Sequence, residues 1–397
     1  MIIWQYILFI SCFIIFYNYA GYALIVYLIN NLNRKGGKPK TDDLDFSPSI
    51  SFIVAAYNEE DFIEKKIINS IHQNYPAEKI EFIFITDGST DKTREIIGRY
   101  PSIILLHKPE RKGKSAALNR VAKIAKNDIL IFSDANTFLN IEATKNIASH
   151  YIDDKVGGVA GEKKVSLLAE NSFDAGDGEG AYWKYESFLK KIDSAFYSVV
   201  GAAGELFSVR RELYEPIADE VILDDFVISL KVAQKGFRII YEPDAYAMEL
   251  PSFSLKDEQK RKIRIAAGGF QAIWMLKSLF MFWNHPKLSF LYISHRVLRW
   301  ALSPFCLLIA FISSLFLFLE SSSSSYKILF LLQILFYLFA LTGKFISSSN
   351  NRFKILKLCY YFVFMNISVI MGFFRFIRGK QPATWEKAKR TQSVLSE

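Results

Sequence analysis

The chain has 397 residues, is 51% hydrophobic with 35 Phe, and carries a formal net charge of +9. That length holds two or three structural units. The apolar excess is uneven: it sits in residues 2–31 and again after about residue 268, leaving a middle of ordinary globular composition. Much of the positive charge clusters at the edges of the apolar stretches, which fits membrane topology, and no nucleic-acid-binding motif accompanies it, so nucleic acid is not an expected partner.

Residues 1–31 form the first unit, with "IIWQYILFISCFIIFYNYAGYALIVYLINN" running from residue 2 without a charge. It is long enough to span a bilayer with tilt. It lacks a basic leader and a small-residue cleavage site, so it is expected to stay as an anchor. The basic, polar linker 32–48 carries Arg34, Lys35, Lys38 and Lys40. By the positive-inside rule these put the N-terminus outside and the middle of the chain in the cytoplasm, at the plasma (inner) membrane.

From residue 49 to 264, strands alternate with helices. "ISFIVAA" predicts a strand, "NEEDFIEKKIINSIHQN" a helix capped by Asn58, "EFIFIT" a strand, and "DKTREIIGRY" a helix with Asp91 at its N-cap. "SIILLHK", "GKSAALNRVAKIAK" and "DILIFSD" continue as strand, helix, strand. The alternation predicts an α/β domain of βαβ units with a mostly parallel central sheet. Residues 265–287 predict an interfacial helix with tryptophan at the headgroup level. The C-terminal transmembrane region 288–378 holds spans at about 297–319, 326–346 and 354–377, with Ser321–Ser325 as a turn, and a basic tail covers 379–397. One span before the domain and three after it put the C-terminus outside, whereas the basic tail argues for inside; both readings stand. No relay of charged residues is expected within the spans, which argues against a transporter. Cys12, Cys306 and Cys359 lie in apolar stretches as small hydrophobes, with no disulfide framework or zinc spacing.

Two aspartates carry the most information. Asp87 ends "FIFIT" before Gly88, and Asp134 ends "DILIFS", so both reach the carboxyl edge of the sheet, where ligands bind in open α/β folds. Asp134 with Asn136 offers hard oxygen ligands to a divalent cation, Mg²⁺ or Mn²⁺, and the phosphates it carries; a polar turn is the alternative. "RKGKSAALN", with Gly113, Lys114 and Asn119, opens a helix with glycine and cations, suited to phosphate or to a solvated basic loop. Asp224 and Asp225 open another helix, as caps or as a general base and its neighbour. "KDEQKRKIR", with Gln259, Arg261, Lys262 and Arg264, suits a diphosphate or anionic headgroups equally.

In combination these stretches resemble membrane-bound family 2 glycosyltransferases with a GT-A fold, the superfamily of cellulose, chitin and hyaluronan synthases. The matching motifs are Asn58-Glu59 after the first strand, which ends at Ala56, Asp87-Gly88-Ser89 after the second, then Gly113-Lys114 followed by Ala117-Leu118-Asn119. The resemblance implies that Asp87 contacts the nucleotide, that Asp134 binds the sugar nucleotide and its cation, and that Asp225 is the catalytic base beside Asp224. Asn136 stands where the family has a second Asp. "GAAGELFSVRREL", with Gly204 and Glu205, resembles the acceptor side. The implied activity is inverting transfer from a nucleotide-sugar, UDP-linked by resemblance, to a growing polysaccharide or lipid-linked acceptor. Accessory membrane subunits or a homo-oligomer are implied partners. Processive members carry Gln-x-x-Arg-Trp, but here Gln259 is followed by Lys262 and Ile263, which favours the alternative of a non-processive glycolipid transferase.

Overall fold

The structure is a computed structural model and describes residues 1–33, 46–165, 176–249, 255–345, 353–379 and 381–382. Arg34, Lys35, Lys38 and Lys40, and nearly all of the basic tail, lie outside the described residues. The uncharged N-terminal run folds as α1 (Ile2–Phe16) and α2 (Tyr22–Leu32), joined without a break through a π-helical turn, Tyr17–Gly21.

The α/β domain follows the sequence pattern closely. Strands β1 (Ile50–Ala56), β2 (Ile80–Asp87), β3 (Ile103–Lys108) and β4 (Ile129–Asp134) pair in parallel in the order β3-β2-β1-β4. Helices α3 (Ile63–Ile71), α4 (Thr93–Gly98) and α5 (Lys114–Ala122) connect them. Residues of β1 and β4 alternate between two cores, Ile53, Leu130 and Phe132 on one face and Phe52, Val54 and Ile131 on the other. That explains near-continuous apolar runs where a half-exposed strand would alternate. The second half is mixed: β5 (Thr137–Leu139), α6 (Ala143–Ser149), β6 (Val156–Val165), α7 (Gly176–Phe196), β7 (Leu206–Arg210), α8 (Asp224–Gln234) and β8 (Arg238–Glu249). β7 runs antiparallel between β4 and β6, while β6 and β8 are parallel and β5 closes the edge antiparallel to β8. The sheet is thus mostly parallel and open, with a mixed second half.

Beyond the sheet come α9 (Leu255–Met275), α10 (Pro286–Leu291), α11 (Ser303–Glu320), α12 (Ser324–Gly343) and α13 (Lys354–Ile377). Among the described residues, four stretches are long and apolar enough to cross a membrane: Ile2–Leu32, Pro286–Glu320, Ser324–Gly343 and Lys354–Ile377. Three differences from the sequence reading have physical causes. First, the helix expected from Asn58 starts only at Ile63. Asn58 adopts a left-handed backbone (φ 53°), and its Oδ1 accepts from the Thr90 amide at 2.8 Å, so it ties two loops together instead of capping. Second, α9 passes unbroken through the boundary expected at 264/265, and its Ala266–Phe270 stretch is buried. Gly372 of α13 lets it approach so closely that a Cβ there would sit 2.5 Å from Ala266 Cβ. The exposed Trp274 and Trp283 still fit an interfacial level. Third, the stretch expected to begin at 297 begins at Pro286, because α10 and α11 are joined by a π-helix, Tyr292–Leu302, carrying His295, Arg296 and Arg299.

Those charges contradict the expectation of spans without a charged network. Arg296 Nη1 lies 3.0 Å from Glu186 Oε2 on α7, and Arg299 binds the same carboxylate. His295 Nδ1 meets Asp193 Oδ2 at 2.6 Å, and Tyr22 of α2 donates to Asp193 Oδ1 at 2.6 Å. All five charged or titrating groups are buried. One apolar core also runs continuously from the sheet into Tyr22 and Val26 of the first stretch and Leu288 and Tyr292 of the second. The α/β domain is therefore packed rigidly against the apolar helices.

Candidate active site

The site forms where the strand order reverses, between β1 and β4, whose ends pair Ala55 with Asp134. Lys114 opens α5 and is its centre. Its Nζ lies 2.7 Å from Asp134 Oδ1 and 3.7 Å from Asp224 Oδ2. Asp225 completes the group: a Cβ added to Gly204 would lie 3.2 Å from Lys114 Nζ and 3.3 Å from Asp225 Oδ2, so glycine leaves both groups accessible. Arg264 on α9 joins from the far side, its field shared with Asp224, Asp225 and Asp134. Three carboxylates thus face two cations.

This crowding shifts the groups in physically readable directions. Burial works against the Lys114 charge, but Asp134, Asp224 and Asp225 outweigh it and hold the ammonium above the ordinary lysine range. Burial, together with Glu205 and Asp224, holds Asp134 above the usual carboxylate range although Lys114 pulls it down. Burial and then Asp224 push Asp225 up to about 7. A carboxylate tuned there suits a general base at neutral pH. Asn136 Oδ1 is buried without a hydrogen-bond partner next to this cluster. An orphaned oxygen beside Asp134 fits a hard-cation ligand. No group of three His, Cys, Asp or Glu side chains among the described residues is arranged to hold a metal. A cation bound there would therefore draw most of its ligands from phosphate oxygens or water.

Other expected residues take supporting places. Asp87, almost fully buried, accepts from the Lys112 and Gly113 amides at 2.9 and 2.6 Å and from Arg120 Nη2 at 3.1 Å. It pins the loop before α5, and Gly113 at φ 98° provides the turn that brings Lys114 forward. Ala56 lies buried at the end of β1, and the Glu59 amide donates to Thr93 Oγ1 at 2.8 Å. Asn119 points away from the cluster: Ile217 O accepts from its Nδ2 at 2.7 Å, and Tyr214 OH donates to its Oδ1 at 3.0 Å. Glu205 pairs with Lys163, which also binds Glu249. Arg261 Nη1 meets Glu249 Oε2 at 3.3 Å, and Lys262 Nζ lies 3.2 Å from Glu258 Oε1, so these two cations close a ladder along α9. Gln259 is half-buried on the same helix.

Several residues were not singled out by the sequence. Lys163 and Glu249 carry no motif and meet only through the β6–β8 pairing. Trp183 of α7 stands 5.4 Å from Lys262 Nζ and 5.0 Å from Lys163 Nζ, an aromatic face near the position where Ile263 replaces the family's Trp. Lys66 on α3 had a signal: it falls on the buried stripe Ile63, Lys66, Ile67, Ser70.

Residues 51–217 match the family described as Glycosyl transferase family 2. The central domain is a family 2 glycosyltransferase domain. The match stops before Asp224 and Asp225, so their placement rests on the geometry above. Poly-beta-1,6-N-acetyl-D-glucosamine synthases of Staphylococcus aureus are 27% identical over 285 residues, 68% of this chain and 66% of theirs, so the chain spans just under two thirds of those relatives. A probable glycosyltransferase, YdaM, of Bacillus subtilis is 24% identical over 247 residues, 56% of this chain and 55% of its own length. Among solved structures, a mannosyltransferase from Pyrobaculum calidifontis in complex with GDP-Man and Mn2+ covers 94% of this chain and 99% of its own, with TM-score 0.69 and 21% identity. That likeness shows a shared GT-A fold with its flanking apolar helices.

Proposed function

We propose that the chain is a membrane-embedded, inverting glycosyltransferase that moves a sugar from a UDP-sugar to a growing polysaccharide, with its catalytic domain on the cytoplasmic face of the plasma (inner) membrane. The observation that carries this reading is the Lys114 cluster: two cations, an acidic pair and a carboxylate tuned to about 7, gathered at the switch point of a family 2 domain. The likeness to poly-N-acetylglucosamine synthases makes N-acetylglucosamine the sugar to try first.

In this reading Asp225 takes the proton of the acceptor hydroxyl as that oxygen attacks the anomeric carbon. The bond to the diphosphate breaks as the new bond forms on the opposite face, and the nucleoside diphosphate leaves. Lys114 and Arg264 orient the diphosphate and offset its growing charge. Asp134 and Asn136 would hold Mg²⁺ or Mn²⁺, which supplies further charge on the leaving phosphates. Asp224 keeps Asp225 basic enough to accept a proton. A second reading, a glycolipid transferase adding one or a few sugars, is favoured by Lys262, which pairs with Glu258 under Tyr182 and Trp183.

Product partitioning tests the assignment. Membranes with wild type or Asp225→Asn receive labelled UDP-N-acetylglucosamine with Mg²⁺ or Mn²⁺, and products are split into high-mass and solvent-extractable fractions. Asp225-dependent label at high mass supports the synthase; the same label in solvent supports the glycolipid reading. Transfer by Asp225→Asn at the wild-type rate removes the base assignment.

A further inference from the structure

Lys66 is a fully buried lysine that the reaction above does not use. Its Nζ donates to Ser133 Oγ at 2.7 Å and to Thr137 O at 2.8 Å, and lies 5.8 Å from the centre of the Phe52 ring. Neither oxygen is charged. Placing an ammonium in a dry interior on neutral acceptors is costly, and an apolar side chain of similar volume would often fit as well or better. A purely structural contact between α3 and the sheet does not call for the charge.

What the charge touches is informative. Ser133 and Thr137 bracket Asp134, Ala135 and Asn136, the turn that brings the two oxygen ligands to the site. Thr137 Oγ1 donates to Asp134 O at 3.0 Å, drawing the turn tight. Ser133 Oγ donates in turn to Glu205 O at 3.0 Å, next to Gly204, whose backbone abuts Lys114 and Asp225. With its hydroxyl hydrogen given to Glu205, Ser133 accepts from Lys66, so the three groups form one directed chain.

We propose that Lys66 is a positioning residue for sugar transfer, its buried ammonium tying both ends of the Asp134–Asn136 turn and, through Ser133, the Gly204–Glu205 loop. The proposal rests on the transferase reading, and the test separates the two. Full-length Lys66→Met, Ser133→Ala and the double variant are purified beside wild type. Thermal melting, donor KM, kcat and the Mn²⁺ concentration for half-maximal rate are measured, with UDP–Mn²⁺ binding by calorimetry. Lys66→Met is expected to melt near wild type while donor KM and the Mn²⁺ requirement rise tenfold or more, with a smaller change in kcat. Ser133→Ala is expected to shift the same two parameters, and the double variant to add little to Lys66→Met, because both break one chain. Unchanged KM and Mn²⁺ requirement in a folded Lys66→Met, or fully additive effects, overturn the proposal. If Lys66→Met does not fold, an unshifted Ser133→Ala overturns it. If wild type transfers no sugar, the transferase reading falls instead, and UDP–Mn²⁺ affinity still reports on the brace.

Discussion

Two buried charge clusters sit on opposite sides of this domain, and they are built on different principles. At the joint between α7 and the apolar helices, Glu186 and Asp193 meet Arg296, Arg299 and His295 in direct contacts, and Arg296 and Arg299 pull Glu186 well below the usual carboxylate range against the effect of its burial. At the sheet edge, Asp134, Asp224 and Asp225 crowd Lys114, Asp225 is pushed up, and Asn136 Oδ1 has no partner. The first cluster is satisfied within the protein and holds elements together. The second leaves ligand capacity open, which is what a site for a charged substrate requires.

Changing one group on each side sharpens that contrast. The largest effect is expected from Asp225→Asn: transfer falls by roughly 10²–10⁴-fold, the usual worth of a positioned base, while thermal stability holds. Glu186→Gln should do the reverse. It strands Arg296 and Arg299, costs about 3–5 kcal/mol as broken buried pairs do, and appears as a lower unfolding temperature with normal activity per folded molecule. A pH profile separates them again. Asp225 must be unprotonated to act, so the wild-type rate should rise with pH and level off above about 7; saturating Mn²⁺, adding positive charge nearby, should move that flank to lower pH. A flank that ignores both Mn²⁺ and Asp225→Glu would break the assignment. Asn136→Ala should raise the Mn²⁺ requirement about tenfold, the low end for loss of a group supporting a metal, with little change in melting. Gly204→Ala is the mildest: its Cβ at 3.2 Å from Lys114 Nζ shifts the lysine by a few tenths of an ångström. Given that a misplacement of about 1 Å costs about 10²-fold, the rate should fall by less than about tenfold.

The donor half of the site was legible because its residues sit at strand ends. Asp87 and Asp134 each terminate an apolar run, and parallel strands deliver their carboxyl ends to one edge. The α/β class, the parallel strands and the four apolar stretches followed from the same periodicities. The Lys163–Glu249–Arg261 ladder was not legible, since β6, β8 and α9 are far apart in the chain and only tertiary pairing joins them. The start of the second apolar stretch was hidden for a related reason. His295, Arg296 and Arg299 lower its hydropathy, and only their partners on α7 show that they are buried. Asn119 matched a motif by position, but its amide is engaged by the loop at 214–217.

The π-helix at Tyr292–Leu302 has a consequence for how this chain tolerates change in length. A π turn holds more residues than an α turn, so deleting one residue there would let the helix relax to α and rotate everything after the deletion by about 100°. Arg299 would swing away from Glu186, and Trp300 would leave Gly269, against which it packs within 2.6 Å of where a Cβ would stand. The helix therefore has a reading frame of its own. Insertions and deletions should accumulate in the serine turn at 321–323, where no partner counts residues, and be absent between Tyr292 and Leu302.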